Sequence, residues 1–176
     1  MCKFIQLCLF LCSVFFTSNL FAGEQFSLST SAFQDQGAMP VLYTCDGKNI
    51  SPQIAFTHPP AKTKSFAIIM SDPSAPKGTF YHWILYNIPS KTSDISQGMA
   101  KPVKGVMVGT NDFDKKQYSG PCPPKGSVHT YIFTVYALDS MLPLKNGASA
   151  KEVLDAMQHH VLEKNKLTAL YSRFMQ

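Results

Sequence analysis

Three stretches of the chain are apolar almost without interruption: SFAIIMSD (65–72), FYHWILYNIP (80–89) and HTYIFTVYALD (129–139). Each has the length of a strand, is rich in isoleucine and aromatic residues, and is bounded by Pro, Gly, Ser or Asp. A strand covered on one face alternates apolar and polar positions, whereas a strand covered on both faces loses the alternation. The three runs therefore predict strands in the interior of a layered structure. FSLSTSAF (26–33) does alternate and predicts a half-buried strand. One helix is expected. Ser149 and Glu152 have capping-box spacing, and Val153, Leu154, Met157, Val161 and Leu162 fall on one helical face. After Asn165, KLTALYSRF predicts a last strand.

Strands followed by one late helix lack the strand–helix alternation that a parallel α/β sheet needs. The fold expected is mostly β: an antiparallel β-sandwich with Greek-key-like connections and a few peripheral helices. The chain shows no internal repeat and no low-complexity linker, so it reads as a leader, 1–22, and one domain, 23–176.

The leader changes the picture of charge and cysteines. One lysine precedes an apolar run from Phe4 to Phe16, then polar Thr17, Ser18 and Asn19, then Leu20-Phe21-Ala22. This is the pattern of a secretory signal peptide, with cleavage expected after Ala22 and a periplasmic or secreted protein as the product. The run is too short to span a bilayer, and no transmembrane segment is expected in the mature chain. Removing 22 of the 176 residues leaves 154, and losing Lys3 takes the net charge from +5 to +4. Three of five cysteines go with the leader, leaving Cys45 and Cys122. An even pair in an oxidising compartment points to a disulfide. Two buried thiols are the alternative, because two cysteines fix no geometry. The pI near 8.9 is spread over scattered lysines and a single arginine, Arg173. Nucleic acid is therefore not an expected partner.

The chemistry gathers where polar residues meet proline-stiffened loops. Asp72 ends one apolar run, His82 lies just inside the next, and His129 opens the third after GPCPPKG (120–126). Residues two apart in a strand share a face. His129, Tyr131 and Phe133 should then point together, as should His82, Ile84 and Tyr86. Glycine admits close backbone approach, and imidazolium and phenol groups donate to anions, so the set describes a plausible anion pocket. Taken singly, a strand histidine is as readily a hydrogen-bonded core residue, and Asp72 before Pro73 a turn residue. Two enzymatic readings compete. Asp72, His82 and His129 are the ligand types of a two-His-one-carboxylate metal site. Ser74 or Ser119 with a histidine and Asp72 could form a triad. Neither has supporting local spacing. His159-His160 reads as a solvated face and His58 as loop.

Taken in order, CDGKNISPQIAF (45–56), DPSAP (72–76), FYHWILYNIP, GTNDFDKKQYSGPCPPKG (109–126) and HTYIFTVYALD resemble the phosphatidylethanolamine-binding protein family, also called the Raf kinase inhibitor protein family, and its bacterial branch in particular. The resemblance implies a β-sandwich with a small surface pocket for phosphate-like anions and phosphorylated head groups, with no enzymatic turnover and no cofactor. Carried over by motif, it implies a site made of Asp72, His82, Gly120, Pro121, His129 and Tyr131. Ser74 stands where the family usually has a second aspartate, which should make the pocket less acidic. Thr130 replaces a frequent arginine and should face away from His129. A protein partner bound through the pocket rim, such as an inhibited protease, and a homodimer are left open.

Overall fold

A computed structural model describes residues 25–99 and 103–174. The leader expected at 1–22 lies outside the described residues. Among the described residues there are nine strands and one α-helix: β1 (Ser27–Ser29), β2 (Gly37–Ala38), β3 (Ile54–Thr57), β4 (Ser65–Asp72), β5 (Phe80–Pro89), β6 (Asp94–Ile95), β7 (Met107–Val108), β8 (Val128–Leu138), α1 (Ala150–Met157) and β9 (Val161–Ser172). They form a six-stranded sheet, β2-β9-β8-β4-β5-β7, and a three-stranded sheet, β1-β3-β6. All pairings are antiparallel except β2 with β9. In the larger sheet β4, β5 and β7 lie side by side and β8 returns beside β4, which is the strand order of a Greek key.

The burial pattern explains the apolar runs. One face of the large sheet packs Phe66, Ile68, Met70, Trp83, Leu85, Phe133 and Val135 against Phe26, Leu28, Ile54, Phe56 and Ile95 of the small-sheet layer. The other face packs Ala67, Ile69, Ile84 and Tyr86 under Leu142 and the helical residues Ala150, Val153 and Met157. Strands β4 and β5 are thus the middle layer of three, and no polar face was available to their sequences. The expected strand at 26–33 forms only over Ser27–Ser29. Beyond it the Thr30 hydroxyl donates to the Gln53 carbonyl and accepts from the Ala32 amide, which turns the chain away.

The capping box is present: Ser149 Oγ accepts from the Glu152 amide and Glu152 Oε2 accepts from the Ser149 amide. The helix stops at Met157, however, and Val161 and Leu162, expected on its apolar face, belong to β9. The β9 ladder with β8 runs from Val128↔Ser172 to Leu138↔Val161. Those strand hydrogen bonds override a helical spacing of apolar residues that continued past the helix end by coincidence.

Strand β5 carries a bulge that decides which way one histidine points. Met70 pairs with Trp83, but the next residue of β4, Ser71, pairs with Tyr81, so His82 is the extra residue. A bulge breaks the alternation and re-aims the side chain. His82 accordingly lies on the same side as Trp83, against Tyr131, and not with Ile84 and Tyr86 as strict alternation requires.

Candidate functional site: a small pocket at the strand ends

The carboxyl end of β4, the start of β5, the start of β8 and the loop 109–126 meet at one end of the large sheet. The Asp72 carboxylate caps its own turn, with Oδ1 accepting from the Ser74 amide at 2.8 Å. Its other oxygen, Oδ2, accepts from His129 Nδ1 at 2.7 Å. This contact fixes the plane of the His129 ring. On β8, His129 and Tyr131 are buried alternate residues with Phe133, as the strand period predicts.

His82 is held by a single loop residue in two ways. Its Nδ1 donates to the Ser119 carbonyl at 2.7 Å, and its own carbonyl accepts from the Ser119 amide at 3.2 Å. That carbonyl, turned out by the bulge, also accepts from Asn111 Nδ2, which bridges to the Gln117 carbonyl and Ser119 Oγ. Asn111 is buried, and its Oδ1 accepts from the Phe113 and Lys115 amides. Asn111 and Ser119 thus position His82. Sequence reasoning missed both roles, because nothing in GTND or YSG distinguishes a bridging side chain from an ordinary loop residue.

The resulting cavity measures about 180 Å³ and is lined by Asp72, His82, His129 and Tyr131, with walls of Phe80, Phe113 and three prolines. The four polar residues are only 3%, 3%, 6% and 1% exposed, respectively, so their side chains are largely withdrawn from water. The rings are interlocked: Phe80 and Phe113 stand edge-on at 4.7 Å, and His82 packs against Phe80, Phe113 and Tyr131 at 5.1, 5.5 and 5.2 Å.

Electrostatics follow from this burial. Desolvation pushes the His82 ring below the usual imidazole value. The Ser119 hydrogen bond, the Asp72 charge, the Gly120 backbone and the Asp112 charge oppose the shift without cancelling it. Burial, helped by the Asp72 charge, pushes the Tyr131 hydroxyl well up against an opposing hydrogen bond from the Cys122 backbone, so it stays a neutral O–H donor.

Four of the six expected residues therefore converge. Gly120 and Pro121 do not line the cavity but sit behind it. The Gly120 amide donates to Asn49 Oδ1 at 2.7 Å, and the Pro121 carbonyl accepts from the Cys45 amide. A Cβ on Gly120 would lie 2.1 Å from the Tyr43 carbonyl oxygen, so the glycine serves close approach of chain to chain rather than of chain to ligand. Their neighbours Cys122, Pro123 and Pro124 form that wall instead. Cys122 is bonded to Cys45, with Cα atoms 5.4 Å apart, which settles the disulfide alternative. Ser74 stands outside the cavity as well. Its Oγ accepts from the Thr130 amide at 3.1 Å and it is absent from the lining. Of the two candidate triad serines, Ser74 Oγ accepts from the Thr130 amide and Ser119 Oγ from Asn111 Nδ2. Among the described residues no group of three or more His, Cys, Asp or Glu is arranged to hold a metal. His160 is not merely solvated, because its Nδ1 meets Asp139 Oδ1 at 2.8 Å.

Comparison with known proteins identifies the family and the fold. The family model described as phosphatidylethanolamine-binding protein matches residues 29–172. A UPF0098 protein of Methanothermobacter thermautotrophicus is 44% identical over 150 residues, covering 84% of this chain and 99% of that protein. The UPF0098 protein YbhB of Escherichia coli is 41% identical, covering 72% of this chain and 84% of its own. A homologue from Chlamydia trachomatis, CT736, described as a putative phosphatidylethanolamine-binding protein, superimposes with a TM-score of 0.78 at 31% identity, over 84% of this chain and 97% of that one. E. coli YbcL, described as a member of the mammalian family, does so with a TM-score of 0.80 at 27% identity, over 85% and 99%. The chain belongs to the phosphatidylethanolamine-binding protein family.

Proposed function

We propose that this is a periplasmic or secreted binding protein whose pocket takes a phosphate-like anion or a phosphorylated head group and does not turn it over. One observation carries the reading: two imidazoles and a phenol, delivered by the two strands β5 and β8, converge on one small cavity. Tyr131 supplies a neutral hydroxyl, and each ring nitrogen Nδ1 is already spent on an internal partner, leaving Nε2 for a ligand. Asp72 acts by orienting His129. The aromatic and proline walls suit the organic part of a head group. The Cys45–Cys122 bond supports an oxidising compartment.

Titration calorimetry with phosphate and with phosphoethanolamine, at about pH 5.5, tests the reading. Saturable heat from at least one ligand, weakened roughly tenfold in His129→Ala, is expected if the ring donates one charge-assisted hydrogen bond. No heat with either ligand, or binding unchanged in that variant, rejects it.

A further inference from the structure

The tautomer of His82 is dictated by its partner. A carbonyl oxygen only accepts, so the Nδ1 that lies 2.7 Å from the Ser119 carbonyl carries the hydrogen. The neutral ring then has its lone pair at Nε2, the nitrogen left for the cavity. The groups that face this ring are few. Asp72 comes from β4, Tyr131 from β8, Phe80 from the same strand, and Phe113, Asp112, Ser119 and Gly120 from the loop 109–126. Of these, Asp72 and Asp112 carry charge, and their pull on a proton is outweighed by burial. At neutral pH His82 therefore offers the cavity an acceptor.

A buried acceptor inside an anion site is selective. It repels a bare oxyanion oxygen, and it is satisfied by an anion that brings its own hydrogen. Resting on the anion reading above, we infer that His82 makes the pocket a receptor for protonated oxyanions. Hydrogen phosphate and singly protonated phosphate monoesters donate P–O–H to Nε2, while fully ionised oxyanions of the same shape are turned away. The charge of His129, whichever it carries, acts alike on two anions that share shape and charge. Its Nδ1 is committed to Asp72, and the other groups about it are Tyr131 and, across the ladder, Tyr171, whose hydroxyl donates to the Asp46 carboxylate that also pairs with Arg173.

Inorganic phosphate and sulfate are the probes, because near pH 7.5 they share shape and charge and differ by one hydrogen. Calorimetry on the wild-type protein, in two buffers of different ionisation enthalpy, reads both affinity and proton uptake. At about pH 7.5 sulfate should bind roughly 10- to 100-fold more weakly than phosphate, the scale set by leaving one buried polar group unsatisfied. At about pH 5 the gap should close, with close to one proton taken up per sulfate bound, as Nε2 becomes a donor. His82→Asn should narrow the phosphate-to-sulfate ratio near pH 7.5 whatever it does to absolute affinity, which a purely structural role would not. Equal affinities near pH 7.5, or a ratio that does not narrow on acidification, overturn the inference while leaving an anion pocket. Binding of neither anion at either pH overturns both it and the function proposed above.

Discussion

Asp72 and His129, 57 residues apart in sequence, are joined by a 2.7 Å hydrogen bond between Oδ2 and Nδ1, with both side chains almost wholly buried. The bond ties the end of β4 to the start of β8. Asp72→Ala leaves the imidazole and the Ser74 amide without their buried acceptor. A loss of about 2–3 kcal/mol in unfolding free energy is expected, the scale for a hydrogen bond to a charged group. Phosphate affinity should fall with it. Urea denaturation and calorimetry on the same sample check both, and a variant with wild-type stability would contradict the assignment.

The depressed His82 ring makes stability depend on pH in a stated direction. In the unfolded chain this histidine titrates near 6.5, and in the folded protein it titrates lower because burial penalises the charge. Between the two values the unfolded state binds more protons. Stability contributed by neutral His82 is therefore complete above about 6.5 and is lost as pH falls toward the folded value. Urea midpoints followed downward from neutral pH should decline for wild type and decline less for His82→Asn. Parallel curves would show that some other group is responsible.

The Cys45–Cys122 bond closes a sequence separation of 77 residues. Loop-entropy reasoning assigns such a closure about 4.5 kcal/mol, and measured values for native disulfides run from about 2 to 5. Cys45→Ser should thus lower the unfolding free energy by a few kcal/mol and, because Cys122 and the two prolines after it form one wall of the cavity, weaken phosphate binding even where the protein remains folded. Affinity measured under mild reduction gives the second readout. Unchanged affinity in the folded, reduced protein would separate the bond from the pocket.

Gly120→Ala is predicted to be costly although the residue touches no ligand. The added methyl would lie 2.1 Å from a backbone oxygen and 2.9 Å from Asn49 Oδ1. Overpacking of this kind costs about 1–3 kcal/mol and displaces the loop that holds His82. Thermal melts should show the loss, and an unshifted melting temperature would mean that the Tyr43 and Gly120 segments are not held together as described.

The sequence carried the middle layer of this fold plainly. SFAIIMSD and FYHWILYNIP have no polar stripe because both faces are covered, and that composition is visible without coordinates. Asp72 and His129 were legible because they stand at the ends of apolar runs beside proline-stiffened loops, and Tyr131 because it shares a strand face with His129. What stayed hidden depended on partners far away in the chain. The face of His82 depends on a bulge set by how β5 registers against β4. The end of α1 depends on a ladder with β8 that claims Val161. The role of Gly120 depends on Tyr43, and the part played by Asn111 on carbonyls at 82 and 117. The place of Ser74 outside the lining belongs here too, since only the fold shows its hydroxyl turned to the Thr130 amide.

The extra residue in β5 has a consequence for how this family member can vary. With His82 and Trp83 on one side of the sheet, the imidazole reaches the cavity because of a count of residues, not only because of their identity. Deleting one residue between Phe80 and Trp83 would restore strict alternation and swing whichever side chain took the place of His82 under α1. The strand can therefore absorb many exchanges of one apolar residue for another, but the loss of a single position would empty the pocket of one of its two imidazoles while leaving every strand in place.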